Sequence, residues 1–168
     1  MTEAFAQLSF DASTVNLACF EVKGQIYALE VGHVREIVRV PNITPLPNAP
    51  ELIEGVVDLR GSVIPVLDLA RVLGRGRGGL GAQARIVVVE FDGLVMGLWV
   101  DAATDVLTLD ANRLEDVPDL ATHAGYDAVR HVVRRTGESP VMVLALENLV
   151  EDVYRSALRG SGAEGARR

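Results

Sequence analysis

Two short runs rich in β-branched residues, Val56-Val57-Asp58-Leu59 and Val63-Ile64-Pro65-Val66-Leu67, stand on either side of Arg60-Gly61-Ser62. Apolar runs of this length broken by a glycine turn predict a β-hairpin. Pro65 has no amide hydrogen, which assigns its strand to an edge position or a bulge. Asp68 is placed to cap a short helix over 69–73, and Gly74 to close it in the left-handed conformation.

The same pattern returns near the C-terminus. Laying Gly61 on Gly137 puts Ile53 on Val129 and Val57 on Val133, and after a one-residue insertion Val66 meets Val143 and Leu69 meets Leu146. A second pair of stretches, Phe20 to Val40 and Val89 to Leu109, superposes without a gap and matches Gly24 with Gly93, Leu29 with Leu98 and Ile37 with Val106. The chain therefore reads as two similar halves, about 16–73 and 85–150. Two repeats are too few for a solenoid, so a closed pair of subdomains is expected.

In chain order, residues 1–14 lack a period and read as a flexible N-terminus. Strands are expected at 15–22 and 25–31, joined at Lys23-Gly24, and residues 33–38 fit either a helical turn or a strand. Pro41, Pro45, Pro47 and Pro50 exclude a continuous helix and make 39–50 an extended connection. Residues 75–83, RGRGGLGAQ, read as a linker loop with no apolar surface to bury, which predicts that deleting 76–81 leaves the fold intact. Strands 84–91 and 94–101 meet at Asp92-Gly93, a strong hairpin signal. A polar connection over 110–128 leads to strands 129–135 and 140–146. A helix over 147–159 follows, with Leu149, Val150, Val153, Tyr154, Ala157 and Leu158 on one face. Residues 160–168 read as a flexible tail, so 15–159 is the expected single domain.

Composition narrows the chemistry. Of 168 residues 49% are apolar and 5% aromatic, so the core must be aliphatic. A net charge of −7, with Lys23 the one lysine, argues against nucleic acid and anionic membrane as partners. Cys19, in step with Leu17, reads as a buried, inert thiol, and its solitude excludes an internal disulfide. His33, His123 and His131 stand at no metal-ligand spacing, and no nucleophile elbow, HExxH or phosphate-binding loop is present. Gly74 to Gly79 spells GxGxxG, but between a helix and a strand, the reverse of the dinucleotide-binding order. Asp101, Asp105 and Asp110 read as solvated turn and strand-end positions rather than a carboxylate cluster. No metal, no cofactor and no enzymatic activity are expected. Trp99 aligns with Glu30 of the first half, which makes it a candidate interface aromatic, with packing into a larger core as the alternative.

The stretch Asn48 to Leu69, NAPELIEGVVDLRGSVIPVLDL, resembles the signature of CheW-type chemotaxis coupling proteins. Its hairpin reads Asp58-Leu59-Arg60-Gly61 where that family has Asn-Leu-Arg-Gly, and Val63-Ile64-Pro65-Val66-Leu67-Asp68-Leu69 follows the family pattern. Val34-Arg35-Glu36-Ile37 and the segment Gly97 to Leu107 resemble further parts of it, and the similarity covers about 17–150. The resemblance implies a mainly β fold of two SH3-like β-barrels packed on a shared aliphatic core, with short helices and a C-terminal helix. It also implies a non-enzymatic, cytoplasmic adaptor, recruited to membrane-associated receptor arrays without inserting into the membrane. Such an adaptor would couple the cytoplasmic tip of chemoreceptors to the CheW-like regulatory domain of the histidine kinase CheA. Val34, Glu36, Gly55, Arg60 and Gly61 match family positions that bind receptor or kinase, and Asp58 departs from the family residue at the receptor side. A paralogue serving pili, surface sensing or second-messenger output fits the same motifs. A nucleic-acid-binding β-barrel is the competing class, opposed by the acidity and the scarce aromatics.

Overall fold

Apolar residues on both faces of a strand must find two different cores, and this chain supplies three apolar clusters to receive them. The computed structural model describes residues 13–79, 81–118 and 128–165, with side chains as far as Leu158 in the last stretch. These residues form strands β1 (Thr14–Val22), β2 (Gln25–Glu30), β3 (Val34–Arg39), β4 (Ile53–Leu59), β5 (Ser62–Asp68), β6 (Arg85–Phe91), β7 (Leu94–Val100), β8 (Ala102–Asp110), β9 (Glu115–Asp116), β10 (Val129–Arg135) and β11 (Glu138–Leu144). Helix α1 (Leu69–Val72) follows β5 and helix α2 (Leu146–Gly165) follows β11. Three-residue 3-10 turns stand at Val31–His33 and Ala111–Arg113.

One sheet has the order β8-β1-β2-β11-β10-β9 and the other β3-β6-β7-β5-β4. Each curls into an SH3-like barrel, hereafter barrel A and barrel B. The side-chain period of two sorts the central strands between cores. Leu17 and Cys19 of β1 point into barrel A with Ala28, Val133, Val141 and Val143, while Phe20 and Val22 join the cluster between the barrels. Ile86 and Val88 of β6 point into barrel B with Val57, Ile64 and Val66, while Val87 and Val89 join the shared cluster. Burial on both faces is why β6 is written as the unbroken run RIVVVEF. Leu146, Leu149 and Val150 of α2 close the shared core.

The barrels are not the sequence halves. In each sheet a hairpin of one half is flanked by strands of the other: β1-β2 lies between β8 and β11, and β6-β7 between β3 and β5. The two arrangements correspond strand for strand. β1·β8 and β3·β6 are antiparallel, while β2·β11 and β5·β7 are parallel, with Ala28 opposite Val143 in one and Gly97 opposite Val66 in the other. The repeat is real, but its halves are intertwined.

Local expectations fare differently. Residues 33–38 are both things the pattern allowed, the end of a 3-10 turn and then β3. Pro65 sits in a strand with neighbours on both sides, yet its parallel ladder to β7 begins only at Val66. Its partner Val56 turns its own amide and carbonyl toward Thr44, so Pro65 faces β7 where no ladder bond is due. Strand β8, unassigned from its mixed pattern, is held by pairing with β1. Helix α2 extends past residue 159 to Gly165, correcting the tail boundary. Glycine raises the cost of helix by about 1 kcal/mol without the clash of proline, so an already nucleated helix runs through Gly160 and Gly162. Most of the N-terminus (1–12), His123 within 119–127 and the last residues 166–168 lie outside the described residues.

The linker needs a firmer correction. Gly78 and Gly79 are buried, and their amides donate to carboxylates: Gly78 N to Asp68 Oδ2 at 3.0 Å and Gly79 N to Asp101 Oδ1. Asp68, 1% exposed, also caps α1 through Ala70 N at 3.1 Å. Asp101 Oδ2 accepts from Lys23 N at 2.7 Å, and Arg75 Nη1 donates to Tyr27 Oη at 3.2 Å. The loop is thus anchored by backbone polarity, a term that a search for apolar surface overlooks. Deleting 76–81 removes two of these donors.

Candidate functional site

The β4-β5 hairpin turns at Arg60 (φ +52°) and Gly61 (φ +84°), two consecutive left-handed residues that match the twist of the strands they join. Asp58 Oδ1 accepts from Gly61 N at 2.9 Å and holds the turn closed. Asp58 makes this bond rather than a pair with Arg60, because the turn aims the Gly61 amide back at Asp58 and carries the arginine away across the barrel mouth. There Arg60 donates to Glu36 Oε2.

Glu36 reaches that position from β3, whose register against β6 slips by one residue between Val34 and Glu36. Such a bulge re-aims the side chains that follow it. The Glu36 side chain is 27% exposed and that of Arg60 78%, so the pair has one covered and one solvated partner. Between β3, the β4-β5 hairpin, β6 and β7 opens a groove of about 490 Å³. Leu59, Ile64, Val88 and Val95 form its floor; Arg35, Glu36, Arg60 and Ser62 stand at its lip. The floor is the open end of barrel B, since Ile64 and Val88 belong to its interior and Leu59 and Val95 pack against it. Val63, 67% exposed, projects beside the tip. An apolar floor with a charged lip suits a helix or the end of another barrel better than a small polar substrate.

The other expected residues go elsewhere. Val34 is half-buried against the shared core. Gly55 lies under the extended segment, where an added Cβ would meet Thr44 O at 2.4 Å, and the Thr44–Val56 bridge (2.8 and 2.9 Å) depends on that approach. Its lack of a side chain is accounted for by packing. Trp99 is half-buried and borders a groove with Gly79, Ala84 and Arg85. It packs on the interior of barrel B, its Nε1 is buried, and Gly79 lies so close that a Cβ there would come within 2.2 Å of the indole nitrogen. The alignment with Glu30 holds in register, since Glu30 pairs with Leu17 and Trp99 with Ile86, but in the second half a glycine loop packs against that position. Residues Arg35, Ile64, Val88 and Val95 of the groove carry no signal as single letters, because only the curl of the sheet gathers them.

Cys19 lies in barrel A, and burial, reinforced by Asp105 and opposed by Arg135, pushes its thiol up to about 12. It is inert at neutral pH. Among the described residues no three His, Cys, Asp or Glu side chains gather as a metal-holding set, and no helix is long and apolar enough to cross a membrane.

Two small barrels on one core, with a charge-lipped groove at the mouth of one of them, define a protein-docking module. The CheW-like domain profile matches residues 16–153, and the chain belongs to the CheW-like family. It is 32% identical over 141 residues to the chemotaxis protein CheW of Rhizobium meliloti, covering 84% of this chain and 90% of that protein. It is 31% identical over 143 residues to protein FrzA of Myxococcus xanthus, covering 83% and 88%. The crystal structure of the scaffolding protein TtCheW from Thermoanaerobacter tengcongensis superposes with a TM-score of 0.72 at 32% identity, covering 85% of this chain and 92% of that one.

Proposed function

We propose that the protein is a non-catalytic adaptor of a chemotaxis-type sensory array, coupling the cytoplasmic tip of chemoreceptors to the CheW-like regulatory domain of CheA. Membership of the CheW-like family and likeness to a scaffolding protein support the adaptor role. The observation that carries the site is the groove at the mouth of barrel B, where Arg60 and Glu36 converge over Leu59, Ile64, Val88 and Val95.

The groove offers hydrophobic area for affinity and two opposite charges for orientation. Arg60 is already turned toward Glu36, so a partner carboxylate or helix C-terminus competes for a guanidinium that stays largely solvated. Of the residues matched to the family, Arg60 and Glu36 act as contacts, Asp58 and Gly61 set the turn that presents Arg60, and Val34 and Gly55 shape the barrel beneath. The protein reaches the membrane-associated array through its partners. Titration of purified protein with a receptor-tip fragment and, separately, with the kinase regulatory domain tests the reading. Saturable binding to both is expected, and binding to neither refutes it.

A further inference from the structure

We propose that Arg35 is a specificity-determining contact of the barrel B groove, reading a carboxylate on the helix that docks there. The proposal rests on the groove being a docking surface, and Arg35 is not among the residues matched to the family's binding positions. It reaches the lip through the bulge in β3. Residues directly opposite each other on neighbouring strands share a face. Val34 opposite Val89 and Ile37 opposite Val87 face the shared core, while Glu36 opposite Val88 and Val38 opposite Ile86 lie on the barrel B face. Arg35 is the extra residue, with no partner across this ladder. Strict alternation counted back from Glu36 would send it toward the shared core. The slip instead sets Arg35 and Glu36 side by side on the lip of the groove.

The fold does not demand an arginine at this point. The ladder of β8 to β1 slips at the corresponding place, between Ala103 and Val106, where Thr104 stands at the position that Arg35 has in the first half. The bulge thus belongs to both barrels, and the cation on it to barrel B. Arg35 Nε lies 3.4 Å from Glu90 Oε2, with side chains 56% and 46% exposed. So solvated a pair holds the guanidinium only loosely. A partner that covers the groove strips water from this cation, and a carboxylate set opposite it makes good the loss. A lysine or an apolar side chain at that point leaves the cation repelled or unpaired, so Arg35 selects as well as attracts. Glu90 is the resident competitor for the same cation, and its charge repels an incoming carboxylate.

The test is stopped-flow association of the unaltered chain, Arg35→Ala, Glu90→Gln and the double variant with a receptor-tip fragment and, separately, with the kinase regulatory domain. A thermal melt of each protein runs alongside. Salt at about 0.1 M and about 1 M takes the screening length from about 10 Å to about 3 Å. For the partner that occupies the groove, Arg35→Ala is expected to slow association about 5- to 10-fold at the lower salt and hardly at the higher. Glu90→Gln is expected to speed association several-fold, and only while Arg35 is present. The melts should coincide. A purely structural pair would give two variants that change in the same direction and melt lower. That result overturns the proposal, as does association unchanged by Arg35→Ala or a loss that persists at the higher salt. Binding of the unaltered chain to neither partner overturns the adaptor reading and the proposal with it, so the two failures are told apart.

Discussion

Replacing Arg60 by alanine separates docking from folding at the groove. The residue occupies φ +52°, and alanine inherits the same backbone conformation at nearly the same cost, so the turn is not relieved or burdened by the change. The Asp58–Gly61 bond that closes the turn does not involve the arginine side chain. What is lost from the folded state is the pair with Glu36. With the Arg60 side chain 78% exposed, that pair contributes well under about 1 kcal/mol. Stability should therefore move by no more than about 0.5 kcal/mol. A docked partner covers the groove and removes water from the guanidinium, and a charged hydrogen-bonding group lost there costs roughly 1–3 kcal/mol. Dissociation constants should rise by about 5- to 150-fold. Calorimetric titration of Arg60→Ala against receptor tip and kinase domain separately, with a thermal melt of each protein, measures both quantities. Unchanged affinity for both partners refutes the contact role, and a collapsed melt refutes the claim that the arginine is free of structural duty. Glu36→Gln completes a double-mutant cycle, and additive effects would show that the pair is not recognised as a unit.

Asp58→Ala should behave oppositely, losing the bond to Gly61 N and about 0.5–1.5 kcal/mol of stability in urea unfolding. Gly55→Ala drives a Cβ to 2.4 Å from Thr44 O and should cost about 1–3 kcal/mol or more, with the Thr44 and Val56 amides losing hydrogen-exchange protection. Cys19 should resist a thiol reagent at pH 8 in the native protein and react on unfolding. Because burial raises its folded value from 9.0 to about 12, the contribution to stability is full below pH 9.0 and is lost as pH rises toward 12, and a melt series across that range checks the sign. Trp99 should emit as a buried indole, unmoved by either partner. In Gly79→Ala the displaced loop should shift that emission to the red and admit acrylamide, and an unchanged spectrum would contradict the packing.

The repeat was legible because side-chain alternation and turn chemistry are local. Lys23-Gly24, Arg60-Gly61 and Asp92-Gly93 each place a left-handed residue before a left-handed glycine, and each hairpin falls where those letters stand. Asp68 was legible as a cap for the same reason. The anchoring of Gly78 and Gly79 was not, since a backbone amide has no letter of its own and its acceptors, Asp68 and Asp101, stand 10 and 22 residues away on other elements. The burial of Trp99 was hidden in the same way: residue 30 and residue 99 match in the repeat, but only the second has a glycine loop packed against it.

The intertwining explains why the site could be named only in part. A hairpin motif announces Arg60 and Gly61, yet the groove they border needs a floor from Val88 and Val95, which belong to the other half of the repeat. Barrel B closes only when β6-β7 enters between β3 and β5, and barrel A only when β1-β2 enters between β8 and β11. Neither half on its own can hide the two apolar faces of its central hairpin, so the interior, the shared core and the docking groove form together. Change at the lip, at Arg35, Glu36, Arg60 or Ser62, alters the solvated rim and leaves the cores alone. A change in the floor alters the interior of barrel B as well, through Ile64 and Val88. Selectivity for partners can thus be tuned at the rim with little cost to stability, whereas a larger side chain at Val88 must weaken both.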